Sequence, residues 1–295
     1  ERQSRHPRTL TPARAHRVAG EWTRAQAIAR ELLVETEAGP QRAEVLVLLA
    51  GFDIDELAVP LLEEALAEAE TQPDLHLRIR LDLAHSRRFT IGWATAFADA
   101  RASVAVAEEL DDDALRVLAL STAAFLGRAV SPPEALVFAA RAREVAARGG
   151  DTQSLKLAAG PQGQVLLDCG EYEAARESLE RDYEVWRERD ERFAAGLLWP
   201  LAWVELWTGN FERAAAHAAR SHEISIQYGM ETHGDALPGA WTAAPRGRFD
   251  LARPLAEHGL TPSNEPTRVA GTLFPGLLGP VPTGPGGCGT GAGQL

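Results

Sequence analysis

A chain of 295 residues carrying a formal net charge of −12 is a poor stand-alone partner for nucleic acid, whose phosphates require clustered positive charge. It has no run of 18 apolar residues to span a membrane, and two distant cysteines, Cys169 and Cys288, make neither a disulfide framework nor a metal site. With 45% hydrophobic and 24% charged residues, the length suits one large domain, two ordinary ones or an elongated array without a single core.

The chain opens Glu1-Arg2-Gln3-Ser4-Arg5, with no Met and no apolar h-region, so no signal peptide is visible. The missing Met points to a piece of a longer protein. Residues 1–8 are polar and basic and are expected to fray. A weak helix over Thr9–Ala19 leads to Gly20-Glu21-Trp22-Thr23-Arg24-Ala25. Ala25, Ile28, Ala29, Leu32 and Leu33 then fall at helical spacing, and Gly39-Pro40 closes that helix. Ala43–Phe52 and Leu57–Glu70 are further helices, and Pro73-Asp74 starts the next, with Leu77, Leu81 and Ala84 in line. Gly92-Trp93-Ala94-Thr95-Ala96 is a looser copy of the first turn. Helix continues over Ala98–Leu110, Leu115–Leu126 and Leu136–Ala147. Asp111-Asp112-Asp113 and Ser131-Pro132-Pro133-Glu134 suit helix N-termini. Asp151 caps a helix expected to run unbroken to Cys169, read as a small buried thiol at its end.

The best-formed turns follow. Gly170-Glu171-Tyr172-Glu173-Ala174-Ala175 recurs 39 residues later as Gly209-Asn210-Phe211-Glu212-Arg213-Ala214, and Gly247, Phe249 and Ala252 repeat the form. A glycine after a helix supplies the left-handed position that ends it. The aromatic wedges against its neighbour, and the small Ala lets the next helix approach closely. Turn points near Gly20, Asp55, Gly92, Ser131, Gly170, Gly209 and Gly247 lie at intervals of roughly 34–39 residues. That period, with two helices per unit and no strand pattern, predicts an all-α, right-handed superhelix of six to seven tetratricopeptide-like hairpins over residues 9–260. Residues 261–295 hold 9 Gly and 6 Pro, a composition expected to leave a largely disordered tail.

The wording of the repeats is narrower than the repeat class. Leu61-Leu62-Glu63-Glu64-Ala65-Leu66-Ala67-Glu68-Ala69, Leu77–Ala84, Ala100–Glu108 and Trp186-Arg187-Glu188-Arg189-Asp190-Glu191 resemble the repeat region of large actinobacterial LuxR-type transcriptional regulators. The resemblance spans about residues 10–260. It implies an N-terminal signal-transduction ATPase and a C-terminal helix-turn-helix elsewhere in a longer cytoplasmic protein. Neither part lies here. The single lysine, Lys156, stands between Leu155 and Leu157 and so belongs to no phosphate loop, and no basic recognition helix is visible.

Chemistry-bearing constellations are sparse. The eight histidines make no His-Glu-x-x-His, and His217 and His222 fall on different helix faces. Asp82 and His85 share a face, read as surface polar pairing because no nucleophile lies near. No acid–base, nucleophile, metal or cofactor set converges, so no enzyme is expected. Aromatics give the sharpest signal. Trp199, Trp203 and Trp207 stand at i, i+4 and i+8, with Trp186 and Trp241 in adjacent units, five of the seven tryptophans in a third of the chain. The helix over Phe193–Thr208 is apolar nearly all round, with Pro200 expected to kink it. Its tryptophans either line the concave groove or pack between repeats. The expected role is a scaffold or sensor that holds a protein partner or small effector in the groove. The other reading is a free-standing adaptor for assembling complexes.

Overall fold

The computed structural model describes residues 6–19, 21–52, 58–88, 90–228 and 237–260. The Gly20 and Asp55 turn points and the glycine-rich tail lie outside the described residues, as does the side chain of Trp22. Among the described residues there are fifteen α-helices, one short 3-10 turn and no strand. They pair as antiparallel hairpins. The first are α1 (His6–Val18) with α2 (Trp22–Glu35), α3 (Pro40–Ala50) with α4 (Ala58–Glu68), and α5 (Pro73–Arg87) with α6 (Trp93–Glu109). The fourth is α7 (Asp113–Gly127) with α8 (Pro132–Gly149). In the fifth, a broken arm of α9 (Thr152–Ala158) and α10 (Pro161–Asp168) packs on α11 (Tyr172–Arg187). Then come α12 (Glu191–Trp207) with α13 (Phe211–Gln227), and α14 (Leu237–Ala243) with α15 (Phe249–Leu260). Each hairpin packs on the next, which makes an all-α solenoid.

Local chemistry accounts for the hairpins. At Gly170 (φ 78°), Gly209 (φ 81°) and Gly247 (φ 72°) the chain turns through the left-handed region. The following amide folds back to the helix it left: Glu171 N donates to Leu166 O at 3.0 Å, Asn210 N to Glu205 O at 2.8 Å and Arg248 N to Ala243 O at 3.1 Å. Ala25, Ala175, Ala214 and Ala252 are buried where the arms approach, as the repeat form predicts. The aromatic of each turn behaves less uniformly. Tyr172 packs on the core beside Leu179, but Phe249 is 66% exposed. Asp112, Asp151 and Asp190 cap α7, α9 and α12 by accepting hydrogen bonds from first-turn amides.

Several expected bounds shift. Pro40 opens α3, and Pro132 opens α8 four residues before the apolar run begins. The helix expected from Asp151 to Cys169 is two helices. Gly160 (φ 94°) breaks it and Pro161 restarts it, because proline has no N–H to continue α9. The Gly160 amide donates instead to Asp182 Oδ2 at 2.9 Å, and Arg143 of α8 pairs with the same buried carboxylate. Gly163 then lets α10 lie on α11, since a Cβ there would sit 2.4 Å from Leu179 Cγ. Cys169 is half-buried at the end of α10. Pro200 leaves α12 one element over its full range.

First arms touch first arms, α1 with α3, α5 with α7, α7 with α9 and α10, α10 with α12 and α12 with α14, while neighbouring second arms stand apart, so the first arms form the inner wall. That wall curves far enough for α12 to meet α1: Arg192 Nη1 donates to Val18 O at 2.6 Å, across 174 residues of sequence.

Candidate functional site

Helix α12 packs on its neighbours with two faces and leaves a third open. Ala195, Leu198, Leu201 and Val204 join Ala175, Leu179 and Ile224 in one core cluster, while Ala194 and Leu197 join Trp186 in another. Trp199, Trp203 and Trp207 belong to neither. They share the remaining face with Arg192 and with Gly196, where a Cβ would meet nothing within 4 Å. Trp199 and Trp203 are half-buried and Trp207 is 51% exposed.

The indoles pack on one another rather than under a second layer. Trp199 and Trp203 meet edge to face at 6.1 Å, Trp203 and Trp207 stack at 6.2 Å, and Trp241 of α14 meets Trp203 edge to face at 4.4 Å. Four tryptophans from two first arms thus form one stepped ledge on the inner wall. Such a surface offers broad apolar contact with N–H donors at its margin. Trp186 is a correction. It is 4% exposed on the second arm α11, edge to face with Phe193 at 5.1 Å, and so is a core residue outside the ledge.

The lower edge of the ledge is pinned by a carboxylate. Glu205 is fully buried and accepts from Arg176 Nε at 2.9 Å and Asn210 Nδ2 at 2.8 Å, with Arg213 Nη2 at 3.1 Å. Burial works to lower the Arg176 pKa, and the hydrogen bonds and charges of Glu205 and Glu173 together raise it. Sequence reasoning passed over this node, although a lone acid in an apolar helix signals a buried group in need of partners.

A second cluster lies where α5, α6, α7 and α10 meet. His85 stacks on Phe125 with ring centroids 4.9 Å apart. Arg128 sits 4.7 Å from the Phe125 centroid and 5.7 Å from that of Trp93, and Arg88 lies 5.9 Å from both. Trp93, expected only as a turn residue, is part of this cluster. Asp168 lies 3.5 Å from Arg128, and burial raises its pKa against that arginine.

Asp82 and His85 are therefore not a simple surface pair. Burial pushes the His85 pKa down to about 4, with Arg88 and Arg128 adding to the effect. Burial pushes Asp82 up to about 6, against the opposing pull of Arg78. Asp82 is nonetheless exposed to water. Protein crowds the group from several sides while solvent still reaches it and screens its charge.

The two groups act in opposite senses. Ionising Asp82 costs stability as pH rises from 3.8 to about 6, and protonating an unfolded His85 costs stability as pH falls from 6.5 to about 4. Asp82→Asn should raise the thermal midpoint modestly at pH 7, and the gain should vanish near pH 4. Melts at both values check it.

Among the described residues no group of three or more His, Cys, Asp or Glu is placed to hold a metal, and no helix is long and apolar enough to cross a membrane.

No protein-family model and no curated protein matches the chain. Solved structures do. A Rap protein complexed with Competence and Sporulation Factor superposes with a TM-score of 0.62 at 12% identity, over 87% of this chain and 76% of its own. A Signal Transduction ATPase with Numerous Domains (STAND) protein with a tetratricopeptide repeat sensor, from Pyrococcus horikoshii, gives 0.54 at 17%, over 79% of this chain and 37% of its own. BtubC from P. vanneervenii gives 0.50 at 15%, over 76% and 95%. At these identities the likeness is one of fold, the tetratricopeptide-like helical array.

Proposed function

We propose that this chain is a binding scaffold whose inner wall takes a peptide segment or small effector across the ledge of Trp199, Trp203, Trp207 and Trp241. The observation that carries the reading is the place of these indoles, on an inner-wall face and outside every core cluster. Large rigid aromatics gathered on a concave surface concentrate binding energy at little cost in side-chain entropy. In this reading the chain binds and does not catalyse. It serves in the cytoplasm as the sensor region of a longer LuxR-type transcriptional regulator and reports occupancy to an ATPase. The repeat wording supports that finer assignment, and so does the likeness to the repeat sensor of a STAND protein, of which the matched part is 37%.

A thermal-shift screen of peptides and metabolites at large ligand excess tests the binding reading. A hit should lose its shift in Trp203→Ala while the helical circular dichroism is retained. A shift that survives the substitution, or a variant that loses its fold, would overturn it in favour of packing. A free-standing adaptor is the second reading, since BtubC, matched over 95% of its length, is an array of similar extent. The codons upstream of Glu1 separate the two: a phosphate-loop sequence belongs to the regulator, and a start codon with no ATPase belongs to the adaptor.

A further inference from the structure

Arg42, Arg116 and Arg176 are as deeply set in the array as Arg128. Each of those three hydrogen-bonds to carboxylates: Arg42 to Glu64 and Glu68, Arg116 to Asp111 and Asp113, Arg176 to Glu205. Arg128 does not. Its Nε stands 3.5 Å from Asp168 without a hydrogen bond, and burial works against the charge of that acid. Its Nη1 reaches Gln164 Oε1 only at 3.4 Å, and among the described residues its Nη2 has no partner. Aromatic rings hold the group instead, Phe125 at 4.7 Å and Trp93 at 5.7 Å. A guanidinium laid on ring faces keeps its donors in its own plane, in a fixed fork that suits a carboxylate. Water reaches the place, since Trp93, Phe125 and Arg128 are half-buried and Asp168 is exposed.

Arg88 lies 5.9 Å from the same two rings and adds a second positive charge. Arg88 and Arg128 are the C-caps of α5 and α7. The negative end of a helix dipole accounts for a cation at each position. It does not account for Arg128 lying on two rings with a donor to spare.

This cluster stands in line with the ledge. Helix α10 packs on both α7 and α12, and it runs the same way as α12 because α11 turns the chain back between them. At the head of α10 a Cβ on Gly160 would lie 3.1 Å from Leu197 Cδ2. Asp168 follows about 12 Å further along that axis, level with Trp203 and Trp207 on α12. Packed helices stand about 8–10 Å apart, so roughly 16–20 Å separate α7 from α12, the reach of about five or six extended residues.

We propose that the inner wall takes an extended acidic peptide, with an apolar side chain on the tryptophan ledge and a carboxylate about five or six residues away on Arg128. This rests on the ledge reading and adds the chemistry of the ligand's other end. The net charge of −12 repels such a peptide at long range, so selection falls to the local cations. The carboxylate can come from an Asp or Glu side chain or from a free C-terminus.

The probe is a random dodecapeptide library, displayed with free C-termini and selected on the full chain. Selection should enrich an acid, internal or terminal, about five or six residues from a large apolar residue. The best sequence is then synthesised with each acid in turn replaced by its amide, the C-terminal one included, and titrated by tryptophan fluorescence. One replacement should weaken binding to the parent chain about tenfold or more, and it identifies the source of the carboxylate. Arg128→Gln should weaken the acidic peptide as much and leave the amide form unchanged. Arg128→Lys keeps the charge, loses the fork and should fall between. Trp203→Ala should weaken both forms alike. Equal affinity of acid and amide forms for the parent, or an equal loss of both in Arg128→Gln, overturns the proposal and leaves the ledge standing. No enrichment, or binding that survives Trp203→Ala, overturns the ledge reading and this inference with it.

Discussion

Glu205→Ala lowers the stability of the sixth hairpin by about 3–5 kcal/mol, the cost of removing one partner from a buried ion pair. The carboxylate is inaccessible to water, and three elements converge on it: Arg176 from α11, Asn210 from the turn and Arg213 from α13. Its loss leaves Arg176, with a side chain only 17% exposed, with no carboxylate but the exposed Glu173 at 3.5 Å. It also removes one of the two acceptors of Asn210 Nδ2, and the backbone amide of that residue closes the Gly209 turn. Glu205→Gln keeps the shape and an acceptor, so it should cost less. In a solenoid each repeat leans on its neighbours alone, so the damage should stay local. Urea unfolding followed by tryptophan fluorescence, which reports the stretch from Trp186 to Trp241 where five of seven indoles lie, should show an early transition that circular dichroism registers as partial. A single coincident transition unchanged from the parent chain would refute the assignment of Glu205 as a keystone.

What could be read from the sequence was what is local. A glycine at φ 81° followed by Asn, Phe and a buried Ala is a turn specified within six residues, which is why Gly209 and Gly170 stand where the repeat form puts them. The i, i+4, i+8 spacing likewise puts Trp199, Trp203 and Trp207 on one face. Spacing does not say which face is covered, because that depends on α10, α11 and α13. The same limit applies to Trp186, which reads like the others in sequence but lies inside. The break at Gly160-Pro161 was legible from its dipeptide, and the strong helical pattern on either side overrode it. The Arg88–Phe125–Arg128 cluster and the meeting of Arg192 with Val18 were beyond reach. They arise from the small rotation between successive hairpins, which sums over five units into a contact across 174 residues.

Asp182→Ala tests whether the break in the fifth hairpin is built by its partners or by Pro161 alone. The proline removes one amide from the ladder, but Gly160 still carries a buried N–H that needs an acceptor. Asp182 supplies it at 2.9 Å and binds Arg143 of α8 with the same oxygen, so one carboxylate ties the fourth hairpin to the fifth. Alanine leaves that amide unsatisfied and Arg143 without its anion, a loss of about 3 kcal/mol. Asp182→Asn keeps an acceptor for Gly160 and gives up the charge, so it should fall between the two. If both variants match the parent in urea, the proline alone makes the break. The consequence reaches beyond stability. Helix α9, which the break sets at its own angle, carries Lys156, and Lys156 holds Asp190 at the cap of α12. Loosening Asp182 should therefore release the N-terminal end of α12, where Arg192 meets Val18. Amide hydrogen exchange in the first turn of α12 checks it: an Asp182→Ala chain that unfolds early yet protects those amides as the parent does leaves the hairpin break with no part in the junction.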